Sequence, residues 1–339
     1  MSRYDEKYEI RLATVNDIDM IMNFIDTEWK KGHILATNRK LFEYEFLEKD
    51  GTVNVVIAID REKHTLEGMV GFLKASHDSS CMDIWGCMWK VREDNMALLG
   101  VKLIQRRDKL SGCRHDIGVG DNPNTAIPLF KSIMRRFVGQ MEHFYRLADE
   151  REFIIAKIEH YPKEIGDNVS DAQIITFNNI DQLKECYDLT QNREHVPYKD
   201  DWYINHRFFN HLIYKYDVYG IKLKDEVKAV FVTRNQPLKD KTAVRVVDYI
   251  GDRSAFAYTY SFWKEVLAQE ANEYVDFYCL GFEHEYLEKA GFTQRQENDT
   301  NIIPNYFSPF LQQNIDIWVD STFDKTLFCK ADGDQDRPS

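Results

Sequence analysis

A chain of 339 residues is long for one compact core, and two domains are the natural expectation. Hydrophobic residues at 43% and charged residues at 29% give the balance of a globular protein and argue against disorder. The formal net charge of −12 argues against a nucleic-acid partner, because an acidic surface repels phosphate backbones.

No run approaches the ~18 apolar residues of a membrane span, so no membrane partner is expected. The opening MSRYDEKYEI lacks the apolar core of a signal peptide, and the chain is expected to be cytoplasmic. Its six cysteines (Cys81, Cys87, Cys113, Cys186, Cys279 and Cys329) form no CxxC pair and no His/Cys cluster with zinc spacing. They read as reduced, mostly buried thiols, and no metal is expected.

In chain order, residues 8–13 read as a strand. Thr14 or Asn16 then caps a helix whose apolar residues Ile18, Ile21, Phe24 and Ile25 share one face. A second helix covers roughly 38–48, and VNVVIAID and GMVGFLKAS are neighbouring strands around a turn. MDIWGCMWKV is a strand, NMALLGVKLIQRRDKL a helix, RHDIGVG a strand and NTAIPLFKSIMRR a helix. The pattern breaks near 150–172, where the linker is expected.

The second half repeats this order. AQIITF is a strand; NIDQLKECYDLTQ and DWYINHRFFNHLIYK are helices. VYGIKL and EVKAVFVTR form a hairpin, and KTAVRVVDYIG is a long strand. FAYTYSFWKEVLAQE is a helix, YVDFYCL a strand and HEYLEKAG a helix, and NIIPNYF and NIDIWVD are closing strands. The division is therefore 1–155 and 172–339. The halves share element order rather than sequence identity.

This order (strand, two helices, three strands, helix, strand, helix, strands) resembles the acetyltransferase superfamily known as GNAT. Two local stretches sharpen the resemblance: YLEKAGF (Tyr286 to Phe292), where a glycine caps the helix, and DNPNTAIPLFKSI (Asp121 to Ile133), where Phe130 follows Ala126 by one turn. The resemblance implies an α/β fold of two GNAT-like domains, each a mixed, mostly antiparallel sheet flanked by helices. It also implies acyl-CoA as cosubstrate.

In that family a glycine-containing loop at a helix N-terminus holds the CoA pyrophosphate through backbone N–H groups. Here Asn95, Leu98 and Gly100 align with a Gln or Arg and two glycines, and only Gly100 matches. In the second half Arg253, Phe256 and Tyr258 align, and only the arginine matches. The first half is therefore the expected acyl-CoA site, formed by Leu98, Leu99, Gly100, Val101, Asn122 and Phe130. Phe130 stands where the family often has a tyrosine that protonates the departing thiolate, so that proton must come from elsewhere.

Four stretches resemble a narrower group, the tandem-GNAT enzymes of bacterial O-antigen and capsule pathways that acylate nucleotide-linked amino sugars, including dTDP-3-amino-3,6-dideoxyhexoses. They are WKKGHILA (Trp29 to Ala36), IWGCMWKV (Ile84 to Val91), IPNYFSPF (Ile303 to Phe310) and FCKADGDQDRPS (Phe328 to Ser339). The resemblance implies transfer of an acetyl or hydroxybutanoyl group to a dTDP- or UDP-linked amino-deoxy sugar for a cell-surface polysaccharide.

Such chemistry needs a polarised thioester carbonyl, a proton acceptor for the amine and an acceptor held in line. His33, after the first helix, is the expected base. Trp29, Trp85, Tyr306, Asp334 and Arg337 are the expected acceptor-site residues. Trp85 and Trp89 are expected on one strand face by the period of two. Asp332, Asp334 and Asp336 suit sugar hydroxyls or an ammonium group, and the tail 328–339 is expected to be ordered over the site. Two other readings stand beside this one: a tandem-GNAT transferase with an aminoacyl or peptide acceptor, and a binding protein built from two decayed folds.

Overall fold

The computed structural model describes residues 2–149, 151–163 and 172–338. In chain order its strands begin with β1 (Tyr8–Thr14), β2 (Thr52–Asp60), β3 (Leu66–Lys74), β4 (Ile84–Val91) and β5 (Asp116–Val119). Then come β6 (Phe137–Gln140), β7 (Glu142–Leu147), β8 (Gln173–Phe177), β9 (Asp217–Leu223) and β10 (Glu226–Leu238). The last are β11 (Lys241–Gly251), β12 (Asn272–Leu280), β13 (Thr293–Gln294), β14 (Trp318–Ser321) and β15 (Phe328–Cys329).

They form two sheets. The first runs β1-β2-β3-β4-β5-β14-β6, and the second β13-β7-β12-β11-β10-β9-β8, with β15 added to β12. Each sheet has one parallel pair, β4–β5 in the first and β11–β12 in the second, and is otherwise antiparallel.

Alternation along each strand builds two cores per sheet. Val53, Val55 and Ile57 of β2 pack with Ile18, Ile21 and Phe24 of one helix and Leu41, Phe42 and Phe46 of the helix Arg39–Phe46. Val56 and Ala58, pointing the other way, meet Leu99, Leu103 and Ile104 of the helix Leu99–Ser111. In the second sheet Phe231, Val244, Val246 and Phe277 bury Trp263 and Leu287 on one face. Val230, Val232 and Val247 bury Leu183, Ile204 and Phe208 on the other.

The sheets cross the division expected at 155–172. β7, from the first half, lies between β12 and β13 of the second sheet. β14, near the C-terminus, lies between β5 and β6 of the first. β6 and β7 are separated only by buried Met141, whose N–H donates to Ile317 at 2.8 Å, so the chain passes from one sheet to the other within one residue. The first part of the expected linker is also docked: the N–H groups of Ile154, Ile155 and Ala156 converge on the buried Glu273 carboxylate at 2.5–3.1 Å. NIIPNYF is not a strand; it makes only isolated bridges, Ile302 to Lys157 and Phe307 to Phe310.

Candidate functional site

β4 and β5 pair only at Ile84–Asp116 and Trp85–Ile117, then part. β4 also carries a bulge: its register with β3 shifts between Gly71–Cys87 and Met69–Lys90, and Met88 takes φ +52°. A bulge inserts a residue and reverses the alternation beyond it. Trp85 therefore packs in the core under the first two helices, whereas Trp89 packs against the core under Leu99–Ser111. The expectation that both share a face fails for this reason.

The parted strands enclose a cleft of about 250 Å³. Its walls include Trp89, Arg107, Asn122 and Phe130 from the Leu99–Ser111 side, and Trp29 and Asp334 from the other. It is thus a passage through the sheet. Phe130 stacks on Trp89 at 5.7 Å, and the Asn122 side chain accepts from the N–H groups of Asn124 (2.9 Å) and Thr125 (3.2 Å), which fixes the turn at its edge.

Leu98, Leu99, Gly100 and Val101 do not line this cleft. Leu98 is a left-handed residue (φ +64°) ahead of the helix, while Leu99 and Val101 are buried in the core. A Cβ on Gly100 would lie 2.8 Å from the Trp89 indole nitrogen, so this glycine lets the helix approach Trp89. Its match to the family loop has a packing cause.

The cleft holds charged residues that no local sequence signal marks. Arg107 and Arg136 pair with buried Asp116, and Arg136 Nε meets Asp320 at 2.5 Å. Asp320 arrives on β14 opposite Gly118, where any Cβ would strike its carboxylate and lie 3.0 Å from Asp121. Burial, together with its neighbour Asp320, holds the Asp121 carboxyl well above the usual range. Burial also pushes Asp320 up to about 6. Two buried acids so placed disfavour carrying two charges at once. Asp320 lies more than 190 residues from Asp121, which puts the pair beyond any reading of local spacing.

The corresponding gap of the second sheet is closed. β11 and β12 pair from Thr242–Asn272 to Val246–Phe277; beyond that, β12 pairs with β15 at Cys279–Cys329 and Leu280–Phe328. Ala331 continues into the core beside Val247 and Ile250. Lys199 binds Asp332 at 2.7 Å and also Asp248, and Asp336 takes Arg234 (2.7 Å), Arg207 and the Tyr216 hydroxyl (2.9 Å).

Residues 328–338 are docked against β12 and β5, but Asp332 and Asp336 are buried anchors and are not free for sugar hydroxyls. Gly333 lies so close to β5 that a Cβ would come within 2.5 Å of the Val119 carbonyl oxygen. This threading delivers Asp334 to the open cleft of the first sheet.

A neighbouring cavity of about 220 Å³ joins Trp29, His33, Asp334, Arg337 and Pro338. His33 caps the short helix Ile34–Thr37: its Nδ1 accepts from Leu35 N–H at 3.1 Å, and its ring stacks on Trp29 at 5.1 Å. The remaining ring proton is thereby placed on Nε2. Burial, and then Lys30, lower its pKa to about 4. A neutral imidazole whose lone pair is already engaged is a poor base, so the geometry turns His33 from proton acceptor to wall.

The Arg337 side chain is largely covered, paired with Glu45 and with Asp334 (2.7 Å), and lies over the Trp85 ring at 5.6 Å. Tyr306 lies outside both cavities, and its hydroxyl accepts from Gln335 at 3.3 Å. Trp29, Trp85, Asp334 and Arg337 thus gather at one place, with Tyr306 one residue removed.

No family model matches the chain, and no curated protein does. Solved structures do. A GCN5-related N-acetyltransferase from Anabaena variabilis superposes with a TM-score of 0.56 at 11% identity, over 92% of this chain and 72% of its own. A protein from Enterococcus faecalis described as a probable N-acyltransferase gives 0.52 at 6% identity, over 92% and 72%. At such identities the likeness is one of fold. The chain has the architecture of two acetyltransferase-like α/β units of the GCN5-related kind.

Proposed function

We propose that the chain is an acyl-CoA-dependent N-acyltransferase with a single donor site in the β4–β5 cleft, acting on the amine of a nucleotide-linked amino sugar. The observation that carries this reading is the passage itself. One parted strand pair is open from face to face, while its counterpart is filled by the chain's own tail. A thioester threaded from the Phe130 side would present its carbonyl near the β4 bulge, where backbone N–H groups are free of the ladder to β5.

The acceptor would come from the opposite face, past Trp29, with Asp334 accepting from the incoming amine. Asp334 lines both cavities and replaces His33 in that role. The sugar acceptor is favoured by a convergence: the four stretches that carry the narrower resemblance, far apart in sequence, meet around Trp29, β4, Gln335 and Arg337. The net charge of −12 disfavours the rival with a charged-tRNA substrate.

The test is thiol release from acetyl-CoA and hydroxybutanoyl-CoA in the presence of a panel of nucleotide-linked amino sugars. Asp334→Asn should lower turnover by at least about tenfold while leaving acyl-CoA affinity in place, as expected for a group acting on the acceptor's proton. Absence of thiol release across the panel, with acyl-CoA demonstrably bound, would remove the sugar reading. Failure to bind acyl-CoA at all would remove the transferase reading.

A further inference from the structure

Two acids stand on the Phe130 face of the donor cleft, and the steps above use neither. Their placement follows from alternation along β5 and β14. Ile117 and Val119 of β5, with Val319 of β14, point into the core under the first two helices. Gly118 and Asp320, which stand opposite each other, therefore point the other way, toward the core that holds Trp318 and Phe130. Arg136 ties the group together: it meets Asp320 at 2.5 Å and lies over the Phe130 ring at 5.1 Å. Asp121 joins from the turn after β5. Its N–H donates to the Trp318 carbonyl at 3.1 Å, and its carboxylate lies over Gly118, 3.0 Å from where a Cβ would stand.

The two acids differ in their partners. Asp320 has the Arg136 guanidinium, which favours its charged form. Asp121 pairs with no cation among the described residues, and burial, then Asp320, hold its carboxyl well above the usual range. Of one proton between them Asp121 is the holder, with a hydrogen bond to Asp320. The charges facing the pair are Arg136 ahead of β6, Asp116 on β5 and Arg107 on Leu99–Ser111, with Asp334 across the cleft.

Acyl transfer asks for a proton on this face. A thioester threaded past Phe130 leaves its sulfur there. As the C–N bond forms the C–S bond breaks, and the sulfur departs with the electron pair. The proton shed by the amine goes to Asp334 on the far face, so the thiolate needs a different one. The ionisable groups lining the cleft, among the described residues, are Cys87, Arg107, Asp121, Asp320 and Asp334. Arg107 keeps its charge beside Asp116. Burial pushes the Cys87 thiol well up, which makes it a weaker acid than the leaving thiol at about 8.5. Asp320 is held as a carboxylate by Arg136, and Phe130 has no proton to give.

We propose that Asp121 is the general acid of this transfer: its carboxyl proton goes to the departing sulfur, and CoA leaves as the thiol. The Asp121 carboxylate so formed stands beside that of Asp320. Their repulsion draws a proton back from solvent, past exposed Gly120 and Asn122. The inference rests on the donor-cleft reading for its substrate and on the acid pair alone for the residue.

Three measurements on the full chain test it. Infrared spectra of the unliganded protein near neutral pH should show a protonated-carboxyl signal that Asp121→Asn weakens by one group. Turnover is then measured with acetyl-CoA and whichever nucleotide-linked amino sugar of the panel the wild type accepts. Asp121→Asn should be at least about 10²-fold slower, with acetyl-CoA affinity by calorimetric titration within about twofold of wild type. The third measurement is the pH profile. Wild-type turnover should fall as pH rises through the Asp121 value, because the acid form is the active one, and Asp121→Asn should lack that alkaline limb. Asp320→Asn removes the neighbouring charge, so in it the limb should move to lower pH. An equal infrared signal in wild type and Asp121→Asn overturns the proposal without any appeal to activity. A wild-type rate in Asp121→Asn overturns it while the transferase reading stands. A limb that survives in Asp121→Asn, or stays in place in Asp320→Asn, assigns the proton to another group and overturns it too. A wild type that binds acetyl-CoA but releases no thiol with any acceptor sinks the transferase reading itself, and the role of Asp121 with it.

Discussion

The two parted strand pairs pose the same physical problem and solve it differently. Where parallel strands diverge, their facing N–H and C=O groups lose partners, and a buried unpartnered group costs about 1–3 kcal/mol. Between β11 and β12 the chain repairs the loss itself, by laying β15 on β12 and burying Ala331 beyond it. Between β4 and β5 no described strand enters, and the gap is bordered instead by glycines, aromatic rings and a buried acid pair. A gap closed by covalently attached chain serves stability. A gap left open can be closed only by something that comes and goes, and so it is the candidate for function.

The largest effect should come from undoing the repair. Truncation after Lys330 removes Ala331 from its core and leaves Lys199, Arg207 and Arg234 without the carboxylates of Asp332 and Asp336. Breaking one buried pair costs about 3–5 kcal/mol, so the shortened chain should lose at least that much or fail to fold. Urea unfolding followed by circular dichroism checks this; a midpoint within experimental error of the full chain's would mean that the tail is only an ornament on a finished sheet.

Next in size is a pair of glycine substitutions, one at the open gap and one at the end of β11, on its β10 side. Gly118→Val drives a side chain into Asp320 and Asp121 and narrows the open cleft. It should cost about 1–3 kcal/mol as overpacking and weaken acyl-CoA at least about tenfold. Gly251→Ala places a Cβ 2.7 Å from the Lys228 carbonyl oxygen at φ +107°, so it should destabilise by a similar amount while acyl-CoA affinity stays constant. Calorimetric titration of both variants with CoA decides. Equal losses of affinity would erase the distinction between the gaps.

The smallest effect is the response to pH, which should have opposite sign at the two gaps. Asp320 has a folded pKa raised to about 6 by burial. Its share of stability is full below the unfolded value of about 4 and is lost as pH rises through 6. Asp336 is the reverse. Although burial opposes it, Arg234 and Arg207 hold its carboxyl below the usual range. Its share is present above about 4 and is lost as pH falls through the folded value. Asp320→Asn should therefore flatten the fall in unfolding free energy between about pH 4 and 6, by on the order of 1–3 kcal/mol. Asp336→Asn should flatten only the acid limb. An unchanged slope between about pH 4 and 6 in Asp320→Asn would show that burial does not raise this carboxyl.

Much of the fold was legible in the sequence because its signals are local. The run of Ile18, Ile21, Phe24 and Ile25 faces a core as its spacing requires, and β2, β3, β9, β10 and β11 fall where alternation and turns place them. β6 and β7 were not anticipated: a short strand on each side of Met141 has no turn to announce it, and its partners lie in different sheets.

The site was legible only in part. Trp29, Asn122, Phe130 and Asp334 do line the cleft, but Gly100 lies outside it against the Trp89 indole, and Trp89 was assigned a face that the Met88 bulge reverses. The pairing of Asp320 with Gly118, and the stacking of Tyr44 on His206 and of His77 on Trp202, each join residues more than 100 apart, and no window of sequence contains them. Composition alone also misjudges the tail. Three aspartates in nine residues read as solvated, yet two of them are buried because cations from the second half reach them.

The placement of β14 has a consequence for how the protein is made. The first sheet needs Trp318–Ser321 between β5 and β6, so it cannot be completed until nearly the whole chain has been synthesised. A nascent first half would wait on the ribosome with the edges of β5 and β6 unpaired, during the tens of seconds that translation of the remaining residues takes at roughly 5–20 residues per second. Exposed strand edges are templates for pairing with other chains. Chaperone dependence and aggregation during expression should therefore track the delay before residue 321 emerges, more than the stability of the finished molecule.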